Sequence, residues 1–181
     1  MARRLTPLLT LPLWAVATAS VLNDHVLEIL SVRGSSMSPT LSSLYHDTGA
    51  RDTLLVRKYA PTTGLERGDV VAFWAPHRPD HLVVKRVVGL EGDRVTLDER
   101  RRPGAEFGAR VVVPPGHVWV EGDNWRSSGD SNLYGPVSRS LITGRAVCVV
   151  WPLSRWWQRP WEEKWSTREL KTRVEPGFAM G

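Results

Sequence analysis

The chain has 181 residues, room for one ordinary domain and an appendage. Hydrophobic residues make up 41% and charged residues 24%, which excludes an intrinsically disordered chain and allows a real core. Net charge is +5, and because Arg3 and Arg4 cancel Asp24 and Glu28 the excess lies beyond residue 30; there it is scattered, with only Arg100-Arg101-Arg102 clustered, so it reads as solvated surface rather than a nucleic-acid patch.

Arg3 and Arg4 precede an uncharged stretch, Leu5 to Leu22. As a helix it would span about 27 Å, just under a hydrocarbon core. A cleaved targeting segment and a buried core helix compete with a membrane anchor. The anchor is favoured, because no small-x-small cleavage context is clean and a transit peptide should carry more arginine. Pro7 and Pro12 weaken any helix but are better tolerated in lipid. The arginines should then stay on the matrix or cytoplasmic side, with the body beyond the opposite face. Residues 1–30 are thus expected to be a transmembrane helix and its lead-in.

From Leu30 the pattern changes to short runs rich in β-branched and aromatic residues: Leu54–Val56, Val70–Trp74, Leu82–Val84 with Val87-Val88, Val111–Val113, Val118–Val120 and Ala146–Val150. Gly68-Asp69, Pro76, Gly92-Asp93, Pro114–Gly116 and Gly122–Asn124 punctuate them. Residues 31–152 are therefore predicted to form a mainly β, antiparallel barrel-like or sandwich-like domain. Residues 153–181 form a tail. Trp151, Trp156, Trp157, Trp161 and Trp165 suit either a membrane surface or packing against the body or a partner. Residues 162–173 are expected as a short charged helix and the last eight as frayed. Cys148, the single cysteine, excludes an intrachain disulfide and reads as a small core residue. Pro79 separates His77 from His81 and forbids a helix that would pair them, so no metal or other cofactor is assigned.

Three segments carry candidate chemistry. Gly34-Ser35-Ser36-Met37-Ser38-Pro39-Thr40-Leu41 could present a hydroxyl beside exposed backbone N–H groups, although taken alone it reads better as a polar loop. Lys85 stands in an apolar run, Leu82 to Val88, where burial would lower its affinity for a proton toward that of a useful base. A lysine snorkelling off an edge strand is the plainer alternative, with Arg86 on the opposite face. The third segment runs from Gly122-Asp123-Asn124 through Ser127–Ser131 to Tyr134–Val137.

Taken in order, the set resembles the signal peptidase I family of Ser/Lys-dyad endopeptidases. Its Ser-Met-x-Pro-Thr, Lys-Arg-Val-x-Gly-x-x-Gly-Asp and Gly-Asp-Asn…Ser-x-Asp-Ser…Gly-x-Val motifs fall on this chain across Val32 to Trp151. The resemblance implies Ser36 as nucleophile and Lys85 as general base. It implies that Ser128 aims the lysine amine, Gly122 leaves room beside it, Asp130 braces the motif, and Met37 contacts substrate. Two positions depart from bacterial relatives. Asn132 stands where an arginine partners the aspartate, leaving Arg126 or backbone N–H groups for Asp130. Gly34 stands where a serine hydroxyl assists the oxyanion, leaving chiefly the Ser36 N–H. Both departures, with Trp119–Asp123, Asp130–Asn132 and Gly135–Val137, look like the family's mitochondrial inner membrane branch. That branch implies a single-pass membrane enzyme facing the intermembrane space, precursor proteins bearing sorting signals as substrates, and a related peptidase subunit as partner.

Rival readings are weaker. A Ser-His-Asp hydrolase using His46 or His117 lacks supporting motifs. A self-cleaving repressor-type protease would need DNA-binding helices before Ser31. A non-catalytic stabilising subunit is kept open by Gly34 and Asn132, and a bacterial-type signal peptidase I by the shared motifs. A nucleic-acid module would rest on charge and tryptophan alone.

Overall fold

A computed structural model of the protein describes residues 12, 14, 16–18, 20–21, 24–43, 45–97, 109–162 and 172–177. Ten strands lie among them: β1 (Leu27–Ser31), β2 (Thr53–Arg57), β3 (Val70–Ala75), β4 (Arg78–Gly89), β5 (Arg94–Thr96), β6 (Arg110–Val112), β7 (His117–Glu121), β8 (Val137–Ser138), β9 (Ile142–Trp151) and β10 (Arg173–Glu175). Seven form one sheet in the order β1-β2-β9-β3-β4-β7-β8, and β10-β5-β6 form a second. Every pairing is antiparallel.

The apolar runs explain the pairing. β2 alternates half-buried and buried residues, the signature of a strand with one face on the core. β3 is buried at five of its six positions, as a central strand must be. β4 changes character along its length: residues 78–81 are exposed, whereas residues 85–89 are buried. β7 pairs with β4 at Arg86, Val87 and Gly89, so the other edge of residues 78–84 has no strand beside it among the described residues. One core cluster, around Leu54, Val56, Val70 and Val149, takes in Met37 and Leu41 from the loop after β1. A second is centred on Phe73, Val87 and Val120, and a third, around Trp119 and Val95, joins the small sheet to the large one.

The antiparallel, mainly β prediction agrees with this architecture, but the barrel does not close. β1 and β8 are the ends of an open sheet among the described residues. β1 itself was hidden within the segment expected to be lead-in, and pairs residue for residue with β2 from Leu27↔Arg57 to Ser31↔Thr53. Described residues between 12 and 25 are largely helical, with Trp14, Val16 and Val21 exposed. Among the described residues no helix is long and apolar enough to cross a membrane. Positions 5–11, 13, 15, 19 and 22 of the expected anchor lie outside them, as do Arg100–Arg102 and residues 163–171 of the expected charged helix. At the other end the expectation that the last eight residues are frayed is corrected for residues 174–177, while residues 178–181 lie outside the described residues. Arg173–Glu175 pair with β5, and Val174 packs against the third cluster.

Candidate active site

The turn after β1 is built to project Ser36 while anchoring its neighbours. Gly34 has φ +85°, a conformation that costs a side-chain-bearing residue and lets the chain reverse at once. Ser38 N–H donates to the Ser35 carbonyl at 3.0 Å and Leu41 N–H to the Met37 carbonyl at 2.8 Å, which tightens the turn. Met37, expected at the substrate, instead points inward: it is 1% exposed and packs with Val32, Leu41 and Leu54. Its apolar side chain fills the core beneath the turn, and this plugs the loop into the sheet.

Lys85 approaches from β4. Its Nζ donates to Ser36 Oγ at 2.7 Å, and the residue is 4% exposed. Burial lowers its pKa from 10.5 to about 8, against the opposing attraction of Asp130 and Asp123. The snorkelling alternative is therefore excluded. Arg86, on the other face of β4, is fully buried; its Nε and NH2 donate to Asp123 Oδ1 and Oδ2 at 2.9 and 2.7 Å, and its NH1 to the carbonyls of Gly68 and Trp161. Trp161 thereby closes the back of the site from within the core rather than marking a surface.

The third motif folds over the pair. Asn124 N–H holds the Ser36 carbonyl at 2.9 Å, and the hydroxyls of Ser35 and Ser127 lie 3.0 Å apart. A Cβ on Gly122 would lie 2.6 Å from the Ser36 carbonyl oxygen and collide with Ser128, so only glycine fits. Asp130 is buried and caps the one-turn helix Ser131–Tyr134. Its Oδ2 accepts from Gly122 N–H at 2.9 Å and Ser128 Oγ at 2.7 Å; its Oδ1 accepts from Asn132 N–H at 3.1 Å and Asn132 Nδ2 at 2.9 Å. Arg126 lies over the Trp125 ring. Asn132 and backbone thus serve Asp130 where an arginine was missing from the sequence. The Ser128 hydroxyl donates to Asp130, and among the described residues no hydrogen bond joins it to the lysine amine it was expected to aim.

A cleft of about 350 Å³ opens beside the pair, with residues 30–33 on one wall and 82–84 on the other. β1 and β4 are far apart in sheet order, so the sheet must curl to bring them across from each other. The Ser36 N–H makes no hydrogen bond among the described residues, and Ser36 lines the cleft. His117 engages the Pro115 carbonyl at the start of β7, and the His46 side chain lies outside the described residues. No group of three His, Cys, Asp or Glu that could hold a metal ion occurs among the described residues. Reading the sequence missed Arg86, Asp123 and Glu121 as members of this constellation. A charged residue inside an otherwise apolar run was the available signal for Arg86 and Glu121, whereas Asp123 sits in the polar turn Gly122–Asn124 and carried none.

The family model described as signal peptidase, peptidase S26, matches residues 5–103 and 99–151. The mitochondrial inner membrane protease subunit 2 of Saccharomyces cerevisiae is 41% identical over 140 residues, 75% of this chain and 74% of its own length. Subunit 2 of Danio rerio is 37% identical over 144 residues, 78% of this chain and 74% of its own. The mitochondrial ATP-independent inner membrane protease subunit 1a of Arabidopsis thaliana is 41% identical over 133 residues, 73% of this chain and 75% of its own. The chain is thus similar to both subunit types.

Proposed function

The chain belongs to the signal peptidase family, peptidase S26, and on that premise we propose that it is a membrane-bound serine endopeptidase of the mitochondrial inner membrane that removes sorting peptides from imported proteins. The observation that carries this reading is the 2.7 Å contact of Lys85 Nζ with Ser36 Oγ in a buried place that opens onto a cleft. The relatives named as mitochondrial inner membrane protease subunits support the compartment and a hetero-oligomer with a related subunit. Leu5–Leu22 would be the single anchor, with the catalytic domain facing the intermembrane space.

In this mechanism an extended substrate enters the cleft and pairs with the unpartnered edge of β4. With a pKa of about 8, about a tenth of Lys85 is neutral at pH 7. The neutral amine takes the proton of Ser36 Oγ, and the oxygen attacks the scissile carbonyl carbon. The Ser36 N–H donates to the resulting oxyanion. The Lys85 ammonium then protonates the leaving amine. Lys85 next takes a proton from water, whose oxygen attacks the acyl carbon; the bond from that carbon to Ser36 Oγ breaks, Lys85 returns the proton to Oγ, and the carboxylic acid product leaves.

Cleavage of a precursor by the full chain with its partner subunit tests the reading. Ser36→Ala and Lys85→Met should each lower kcat by roughly a thousandfold or more. Full activity in either variant would end it. A second reading, a subunit that stabilises its partner without cutting, draws on Gly34, which offers the oxyanion no side-chain donor. On that reading both variants would leave processing by the complex unchanged.

A further inference from the structure

Glu121 ends β7 with its carboxylate fully buried, opposite Arg86 in the ladder. A buried carboxylate needs donors, and Trp119, Asn132 and Thr172 are among them. Trp119 Nε1 donates to Oε1 at 3.0 Å and Asn132 Nδ2 at 3.1 Å, while Thr172 Oγ1 reaches Oε1 at 2.8 Å and Oε2 at 3.0 Å. Asn132 Nδ2 also donates to Asp130 Oδ1 at 2.9 Å. Carboxylate oxygens only accept, so the amide must turn its NH2 toward both acids. Its Oδ1 is left without a hydrogen-bond partner among the described residues. A side chain kept for packing alone would avoid that cost.

Thr172 is 1% exposed and sits on a segment pinned further along. Arg173–Glu175 pair with β5, and Gly177 N–H donates to Asp93 Oδ1 at 3.0 Å. We propose that Thr172, Glu121 and Asn132 form a positioning chain for the dyad, through which the C-terminal segment fixes Asp130 beside Lys85. The proposal rests on reading Ser36 and Lys85 as the catalytic pair. Asp130 and Asp123 are the acids that act on Lys85, Arg33 lines the same cleft, and Arg86 from the opposite face of β4 engages Asp123. When Thr172 no longer serves Glu121, the Asn132 amide is drawn to Glu121 and away from Asp130. The less-compensated Asp130 then bears harder on the ammonium and favours it.

The experiment measures kcat and KM for a precursor peptide against pH, using the full chain with its partner. Thr172→Val should move the acid limb of kcat up by roughly half a pH unit, lowering kcat at pH 7 about threefold with KM unchanged. Thr172→Ser should restore the limb. Asn132→Ala should move it in the same direction and at least as far, which keeps a second readout if the Thr172 variant folds poorly. Limbs that stay at the wild-type pH in both variants, even with lowered melting temperatures, reduce the chain to a structural role and overturn the proposal. Ser36→Ala separates the two layers. If it still cleaves, the catalytic reading falls first; if it is inactive while both limbs stay put, this inference alone falls.

Discussion

Replacing Lys85 by methionine should destroy activity and stabilise the fold. The ammonium is 4% exposed, and its pKa falls from 10.5 to about 8 because burial disfavours the charge more than Asp130 and Asp123 favour it. That fall corresponds to roughly 3 kcal/mol, at about 1.4 kcal/mol per tenfold change. The unfolded chain keeps the proton up to about 10.5, whereas the folded protein releases it near 8. Between those values the unfolded state binds more protons, so stability rises with pH across that window. Below pH 8 the cost is fully present. Methionine removes it and forfeits the hydrogen bond to Ser36, worth about 1 kcal/mol. Lys85→Met should therefore be more stable by about 2 kcal/mol at pH 7. Urea unfolding of the full chain at pH 7, 9 and 10.5 measures this. Wild type should gain stability over the series and the variant should not. A variant no more stable than wild type at pH 7, together with a flat wild-type series, would refute the reasoning.

The same titration predicts that kcat rises tenfold per pH unit up to about pH 8 and then levels, as read in a stopped-time cleavage assay. Gly122→Ala should push the Ser36 carbonyl and Ser128 apart, lowering kcat about a hundredfold with a stability loss of about 1–3 kcal/mol by denaturant titration. Arg86→Met leaves Asp123 buried beside the amine and should cost about 3–5 kcal/mol; adding Asp123→Asn should recover much of that loss in a double-mutant cycle.

The parts of this molecule that were legible in the sequence are those whose meaning is local. The alternating and apolar runs became β2, β3, β4, β7 and β9, because burial of a face writes itself into successive residues. Lys85, an ammonium inside Leu82–Val88, read alone as a lysine snorkelling off an edge strand, and only its place among the three ordered motifs made it a candidate base. What was not legible depends on contacts between distant segments. The donors to Asp130 come from Gly122, Ser128 and Asn132, and only the folded turn brings them to one carboxylate. Met37 could as well have faced the cleft as the core, since a turn sets direction without a period. β10 carries only three residues among polar neighbours, too short for a pattern, and is held by β5 and by Asp93. The open edge of the large sheet could not be read either, because closure depends on curvature and stagger rather than on composition.

The hydrogen bond from Thr172 to Glu121 spans 51 residues. A ribosome delivers Glu121 long before its partner, and during that interval the buried acid has one donor fewer than the finished protein provides. The three motifs and the walls of the cleft are complete once Val137 has emerged, yet the carboxylate of Glu121 gains its Thr172 donor only after residue 172 has arrived.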